Sequence, residues 1–211
     1  MRDWKVVVAR GVRRVVLVAV LVVLLLTWPV GCTTTIVPPA EVADPVTVYL
    51  LDHGHTPSLV LPTPDGGMAR YAYGDWRYYA LAERGTLSGL RALCWPTQAA
   101  LGYMPLPGPP TTEAVRDQVH VATRALYTLE VEREAAYRLH AALQQQYHTQ
   151  RDSEVLNRPA ELAFVHHPSR YTWFYNSNHA VADWLRVLDC NVRGPAFIST
   201  WRVVEPGAAA W

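Results

Sequence analysis

The chain has 211 residues, of which 50% are hydrophobic and 18% are charged. This composition excludes an intrinsically disordered chain, which would hold fewer apolar and more charged residues. The net charge is +1, but residues 1–31 carry five basic groups against one acidic group, so the other 180 residues carry 14 basic against 17 acidic groups. A mildly acidic body argues against nucleic-acid binding.

Three cysteines are too few for a disulfide scaffold. Cys94 and Cys190 either form a disulfide in an oxidising compartment or remain free thiols.

The N-terminal region has the plan of a secretory signal. Basic residues precede an apolar run from Val15 to Trp28 that only Thr27 interrupts, and a Gly-Cys pair follows. This order predicts a signal peptide over residues 1–31. Fourteen helical residues would span about 21 Å, which is short for the roughly 30 Å of hydrocarbon in a bilayer. The alternative to a cleaved signal peptide is that this apolar segment remains in the protein as an anchor helix.

Cys32 follows Val30-Gly31 and resembles the acylated cysteine of a bacterial lipobox. We therefore predict lipid attachment at Cys32, because each buried CH₂ of an acyl chain contributes about 0.8 kcal/mol of membrane binding. Residues 33–40 contain two prolines and are typical of an extended spacer. Residues 32–45 are thus assigned to a lipid-anchored linker and residues 46–211 to a single domain. The domain is expected to be membrane-anchored in the cell envelope, facing the periplasm or the exterior.

The first half of this domain has the pattern of a β-meander. Three β-rich segments are separated by turn-forming residues such as Pro64-Asp65-Gly66-Gly67. They predict strands over residues 46–51, 58–62 and 68–73, and they are followed by a predicted helix over 87–95 and a predicted loop over 105–110.

The second half mixes helical and strand patterns. The segment ALYTLEV predicts a strand over residues 125–131, and apolar residues at helical spacing predict helices over 132–147 and 178–188. We expect residues 150–171 to be irregular except for 162–165, residues 171–175 to be strand-like, and residues 197–204 to form a last strand. Together these elements predict an α+β fold, a mostly antiparallel sheet with packed helices.

Asp52-His53-Gly54-His55 is the first candidate site. A histidine acts as a general base near neutral pH when a carboxylate orients it. The His-x-His spacing would also suit a metal, but the sequence offers no matching distant ligands. Neither a metal nor another cofactor is therefore predicted. The alternative is a polar hairpin turn whose aspartate and glycine shape the backbone.

Asn176-Ser177-Asn178-His179 is the second candidate site, at the start of a predicted helix. Asn and Ser side chains cap helices by accepting a hydrogen bond from a free backbone N–H. The positive end of a helix can also stabilise a nucleophile or an oxyanion. A hydroxyl nucleophile needs a positioned base as well, so the sequence favours Ser177 as a capping residue.

Four stretches resemble an uncharacterised family of bacterial lipoproteins that is sometimes encoded beside urease genes. That family shows, in order, HGWHTGLV, GWGD followed by Phe or Tyr, ALWPT, and F-x-TCNTW-x-A-x-x-LR-x-x-GC. The matching stretches here are DHGHTPSLVLP (52–62), YAYGDWRYYA (71–80), LRALCWPT (90–97) and FYNSNHAVADWLRVLDC (174–190). The likeness runs over most of residues 46–204.

The family resembles a circularly permuted relative of the papain-like, NlpC-type cysteine peptidases. The resemblance implies a permuted papain-like architecture, with the Asp52–Thr56 turn and the Asn176–His179 helix start at one cleft. Ser177 stands where the family has its cysteine, and the family's second histidine falls on Thr56, one residue after His55. Adjacent positions of a strand point to opposite faces, so this displacement matters for catalysis.

Three functions remain open at this stage. The first is a non-catalytic peptidase-like domain that binds an envelope component: a protein partner, a peptidoglycan fragment or a lipid. The second is an active serine-type hydrolase or acyltransferase acting on a cell-wall peptide or lipid, and the third is a structural envelope protein. The enzyme would use Ser177 as nucleophile, His55 or His53 as base, Asp52 or Asp75 to orient the base, and Asn178, His179 and Asp75 to bind the oxyanion or substrate.

Lipid attachment at Cys32 is directly testable. Because only a cysteine thiol accepts the lipid in this class of signal, Cys32→Ser should abolish incorporation of a labelled fatty acid and leave unprocessed precursor. Metabolic labelling followed by immunoprecipitation measures both effects. Persistent labelling of the variant would contradict the lipoprotein interpretation.

Overall fold

The structure is a computed structural model that describes residues 33–54, 56–83, 96–197 and 200–206, together with Val20. The chain divides into two compact units, Met1–Cys32 and Thr33–Trp211, and all elements given below belong to the second. The predicted signal peptide, Cys32, His55 and the predicted helix over 87–95 lie outside the described residues. Among the helices that are described, none has the length and apolar character needed to cross a membrane.

Ten strands and three α-helices make up the described part of the second unit. The strands are β1 (Thr34–Val37), β2 (Pro45–Asp52), β3 (Pro57–Pro62), β4 (Met68–Asp75), β5 (Thr97–Leu106), β6 (Ala125–Glu132), β7 (Val155–Asn157), β8 (Leu162–Tyr171), β9 (Asn191–Arg193) and β10 (Trp201–Val203). The helices are α1 (Thr112–Gln118), α2 (Arg133–Thr149) and α3 (Ser177–Val187), with a π-helical turn at Trp76–Ala80 and 3-10 turns at Arg151–Ser153 and Arg158–Ala160.

The larger sheet has seven antiparallel strands in the order β6-β2-β3-β4-β5-β8-β7. The α+β class and the mostly antiparallel sheet are therefore confirmed. The predicted meander corresponds to β2, β3 and β4, and the strand predicted over 125–131 corresponds to β6. The helices predicted over 132–147 and 178–188 are α2 and α3, with ends that differ by one or two residues.

Two expectations in the second half were wrong. Residues 150–171 were expected to be largely irregular, but β8 extends over ten of them and pairs with β5. Its polar stretch His166-His167-Pro168 hides the strand pattern, and a register shift between Gln98 and Ala99 accommodates it. Residues 171–175 are mainly a turn that closes with reciprocal backbone bonds between Thr172 and Tyr175.

The N-terminal linker also differs from expectation. Residues 34–37 form β1, which pairs in parallel with β10 and antiparallel with β9 in a separate three-stranded sheet. Ile36 is fully buried there, so this segment is part of the folded domain and not a free spacer. The strand expected over 197–204 is shorter and spans Trp201–Val203.

The two faces of the seven-stranded sheet carry different partners. Successive strand residues point to opposite faces. Leu50 of β2 and Leu59 of β3 pack in the core that includes the buried residues of α2 and α3, and we call this the two-helix face. Leu51 of β2 and Val60 of β3 pack with Val115 of α1, and we call this the α1 face. By the same alternation Asp52 belongs to the two-helix face and His53 to the α1 face.

Candidate functional site

His53 lies in a hydrogen-bond network on the α1 face. Its Nε2 is 3.1 Å from the guanidinium of Arg70 and 2.9 Å from Ser58 Oγ. Its Nδ1 is 3.1 Å from the backbone oxygen of Ala122. The Arg70 Nε also donates to Ser58 Oγ at 3.0 Å. Ser58 and Arg70 reach one another because they are diagonal neighbours on β3 and β4, where Ser58 pairs with Ala72 and Arg70 pairs with Val60.

These contacts set the protonation of His53. A guanidinium can only donate, so Nε2 of His53 is an acceptor and Nδ1 carries the proton that Ala122 accepts. Burial lowers the pKa of His53 to about 4, and the positive charge of Arg70 adds to the effect. At neutral pH the imidazole is therefore neutral. Its basic nitrogen already accepts hydrogen bonds from Arg70 and Ser58, so it is poorly placed to take a proton from a nucleophile.

Neither candidate aspartate orients His53. Asp52 is buried on the two-helix face, and its Oδ1 accepts the backbone N–H of Gly54 at 2.7 Å. Asp75 is also buried; it accepts the backbone N–H of Tyr78 at 2.8 Å and the hydroxyl of Thr97. Asp52 therefore shapes the hairpin turn and Asp75 caps the π-helical turn. The group that fixes the tautomer of His53 is the Ala122 carbonyl instead.

The second candidate segment starts α3, but its cap is not Ser177. Asn176 is the capping residue, and its side chain accepts the backbone N–H groups of Asn178 at 3.0 Å and His179 at 3.4 Å. His179 completes a capping box with the backbone of Asn176. Ser177 is the first helical residue and is 1% exposed. The expected cap at Ser177 is thus corrected by one residue, because Asn176 has the extended backbone that a capping residue requires.

Ser177 contacts a phenol and not an imidazole. The Ser177 hydroxyl and backbone N–H interact with the phenol of Tyr171 and oppose the rise in its pKa to about 12, which burial and the charge of Asp75 cause. The described residues include no histidine that hydrogen-bonds to Ser177. His179, the histidine nearest in sequence, has its Nδ1 3.1 Å from Asn176 Oδ1. No base for a Ser177 nucleophile is therefore present in the described part of the chain.

Two tyrosines link the predicted site segments. Thr56, where the lipoprotein family has its second histidine, bonds through its side chain to Tyr79. The phenol of Tyr171, the partner of Ser177, lies close enough to Tyr79 to raise its pKa further. Burial is the main cause of the raised pKa of Tyr79. Thr56 and Ser177 therefore each interact with the phenol of a tyrosine that is neutral at pH 7.

A cavity of about 270 Å³ opens beside His53. Its wall includes the side chain of Arg70, which is 2% exposed. The lining is otherwise largely apolar and aromatic, and includes Thr56, Pro57, Ala72, Tyr73, Tyr79, Leu162 and Phe164. Sequence reasoning missed Arg70 and Ser58. The available signal was an arginine inside an otherwise apolar strand, Met68–Asp75, because a lone charge at such a position needs a buried partner.

Of the remaining candidates, Cys190 lies in the described part of the chain. Cys190 is a buried free thiol whose pKa burial raises to about 12, so it is inert at neutral pH. Its possible partner Cys94, the predicted base His55 and the predicted lipid site Cys32 lie outside the described residues. Within the described residues, no cluster of three or more His, Cys, Asp or Glu side chains could hold a metal ion.

Comparisons of this chain with protein families, with curated proteins and with solved structures found no match. The chemistry open to the site therefore follows from its own geometry. A neutral His53 that already accepts two hydrogen bonds and a buried Ser177 that contacts a phenol do not form a nucleophile–base pair. A walled cavity with one buried cation does form a place to bind a ligand.

The first prediction from this site concerns pH. His53 is uncharged in the folded protein down to about pH 4 but titrates near 6.5 when unfolded. The unfolded chain therefore binds more protons between these values, and stability is lost as the pH falls through that window. His53→Gln should reduce the loss between pH 7 and 4.5 by about 2 kcal/mol, measured by urea unfolding at each pH.

Other histidines make a variant comparison necessary for this measurement. Burial also lowers the pKa of His167 to about 4, so the His53→Gln variant keeps part of the pH dependence of the wild-type protein. His148→Gln, which changes an exposed histidine on α2, is the matched control. Equal pH dependence in wild type and His53→Gln would show that His53 is not held neutral by its surroundings.

The second prediction tests whether Asn176, and not Ser177, caps helix α3. Asn176→Ala should destabilise the protein by about 1–2 kcal/mol, because it removes the acceptor for two backbone N–H groups at the start of α3. Asn176→Ser and Asn176→Asp should recover most of that loss, since both side chains cap helices well. Thermal and urea unfolding of the three variants measures the effect. The cap assignment fails if Asn176→Asp is as unstable as Asn176→Ala.

Proposed function

We propose that this chain is a membrane-anchored cell-envelope lipoprotein whose peptidase-like domain is non-catalytic and binds an envelope component. The ligand is a partner protein, a peptidoglycan fragment or a lipid, and it occupies the cavity beside His53. On this proposal the domain has a permuted papain-like architecture in which the catalytic groups of such peptidases have been replaced.

The loss of catalysis is supported by one observation above all. The α1 face holds His53, whereas Ser177 begins α3, which packs on the two-helix face. Among the described residues, no hydrogen bond joins the imidazole that would be the base to the hydroxyl that would be the nucleophile. His53 hydrogen-bonds to Arg70 and Ser58 instead, and Ser177 interacts with the phenol of Tyr171.

Binding is supported by the cavity and its lining. Buried phenols such as Tyr73 and Tyr79 combine large apolar surfaces with a polar tip, which suits recognition of a mixed ligand. Pockets that bind small molecules are mostly apolar with a few well-placed polar groups. The cavity has this composition, and its polar groups include the buried Arg70 and the partly exposed His53.

The proposed location and architecture rest on sequence features. The Gly31-Cys32 junction after a short apolar run supports lipid attachment, and hence exposure of the domain outside the cytoplasm. The ordered likeness of residues 52–62, 71–80 and 174–190 to the lipoprotein family supports a permuted papain-like arrangement. The meander followed by a late helix at Ser177 is compatible with that order of elements.

A serine-reactive probe tests the absence of catalysis. The full chain, purified in a non-ionic detergent, should show no stoichiometric labelling by a fluorophosphonate, because the Ser177 hydroxyl is buried and no histidine of the described residues hydrogen-bonds to it. A known serine hydrolase in the same detergent is the positive control. Labelling that reaches one equivalent in wild type and disappears in Ser177→Ala would overturn the proposal and favour a serine-type hydrolase or acyltransferase.

A further inference from the structure

We propose that the cavity beside His53 is a carboxylate-binding site in which Arg70 pairs with an acid group carried on a small apolar body. This inference rests on the proposed binding function and names the ligand chemistry of that same cavity. The observations that carry it are the unpaired charge of Arg70, the hydrogen bonds it leaves open and the apolar character of the cavity wall.

Arg70 is a buried cation that has no ion-pair partner in the described part of the chain. It is 2% exposed, and none of the ion pairs among the described residues includes it. Its three hydrogen bonds go to neutral acceptors, namely Ser58 Oγ, His53 Nε2 and, at 3.3 Å, the backbone oxygen of Ala160. Burial lowers the pKa of Arg70 only to about 10, so the charge persists at neutral pH.

The acidic group whose charge acts on Arg70 forms no ion pair with it. Glu161 acts on Arg70 only through space and opposes the fall in its pKa. The carboxylate of Glu161 is committed elsewhere, because it accepts the backbone N–H groups of His120 and Val121 at 2.9 and 3.2 Å and contacts the His120 ring at 3.1 Å. Removing an ion from water costs free energy that only a close partner offsets. An anionic ligand would supply that partner.

The Arg70 guanidinium also carries N–H groups that no acceptor among the described residues uses. An arginine side chain carries five N–H groups in a planar fork, and three of those of Arg70 are used by Ser58, His53 and Ala160. About two N–H groups therefore have no acceptor among the described residues. Arginine binds carboxylates through such forks, and the charge-assisted bonds are stronger than neutral ones. The neutral His53 beside it adds no second positive charge.

The cavity wall favours a carboxylate with an apolar body over a free inorganic anion. Ala72, Leu162 and Phe164 line the space next to Arg70, and its volume of about 270 Å³ is near the lower end of ligand pockets. Such a wall cannot replace the hydration of a phosphate on all sides. A short acyl acid or the carboxyl terminus of a small peptide fits both the charge and the apolar lining.

Matched acids and amides test this inference on the full chain in non-ionic detergent. The probes are butyrate against butyramide, which represent an acyl acid, and N-acetylalanine against its amide, which represent a peptide terminus. Ligand-observed NMR titrations at pH 7 and constant ionic strength measure each dissociation constant. We expect at least one acid to bind at least about tenfold more tightly than its amide, equivalent to about 1.4 kcal/mol. Whichever pair shows the preference identifies the source of the carboxylate.

Three variants locate the effect. Arg70→Gln should reduce acid binding to the level of the amide, whereas Arg138→Gln, which removes an exposed arginine of α2, should leave the preference intact. Ala72→Leu should weaken the acid and the amide alike, because it fills the cavity and leaves Arg70 in place. Should Arg70→Gln fail to fold by circular dichroism, the wild-type preference and the Ala72→Leu loss still decide the question.

Two results would overturn the inference. One is equal binding of acids and amides by the wild-type protein, and the other is an acid preference that survives in folded Arg70→Gln. Both are distinct from a failure of the proposed non-catalytic function, which is read from covalent fluorophosphonate labelling. A labelled Ser177 with an intact acid preference would mean that the carboxylate site belongs to an enzyme.

Discussion

The alternation of side chains across the seven-stranded sheet governs what this domain can do. Asp52 and His53 are neighbours in sequence, yet the pleat sends one to the two-helix face and the other to the α1 face. The carboxylate then serves the hairpin backbone through Gly54, and the imidazole enters a network with Arg70 and Ser58. The Asp52-His53 pair therefore does not act as a carboxylate that orients a histidine base, because the strand directs the two side chains to opposite faces of the sheet.

The same alternation places a cation in the interior. Arg70 occupies a strand position whose neighbours in sequence, Ala69 and Tyr71, pack in the core under α2 and α3. On the opposite side its head group meets only neutral oxygen and nitrogen atoms. An isolated buried charge weakens a fold, and natural proteins keep such groups where they serve recognition or chemistry. The network around Arg70 therefore marks the α1 side of the sheet as the side with functional potential.

The overall class and several elements were accessible from sequence, because their signals are local. The turn residues between β2, β3 and β4 predict a meander, and the apolar spacing around Leu139 and Leu185 predicts α2 and α3. Long-range pairing hid the rest: β8 is a strand because β5 lies beside it, although His166-His167-Pro168 breaks its pattern. The capping residue was off by one, since Asn176 and Ser177 are both good caps and only the backbone angles distinguish them. The Arg70 network depends on side chains from three separate segments, which periodicity does not reveal.

The short strand β1 has a consequence for the order in which the domain assembles. Thr34 is held by the backbone of Thr200 and, through its hydroxyl, by Pro195, which is 161 residues further along the chain. Ile36 in turn binds the backbone of Val204. During synthesis from the N-terminal side, β1 therefore stays unpaired until residues 191–203 have been made. Contacts of such large sequence separation form late, because loop closure must precede them. Until then the N-terminal strand has open edges and needs protection from pairing with other chains.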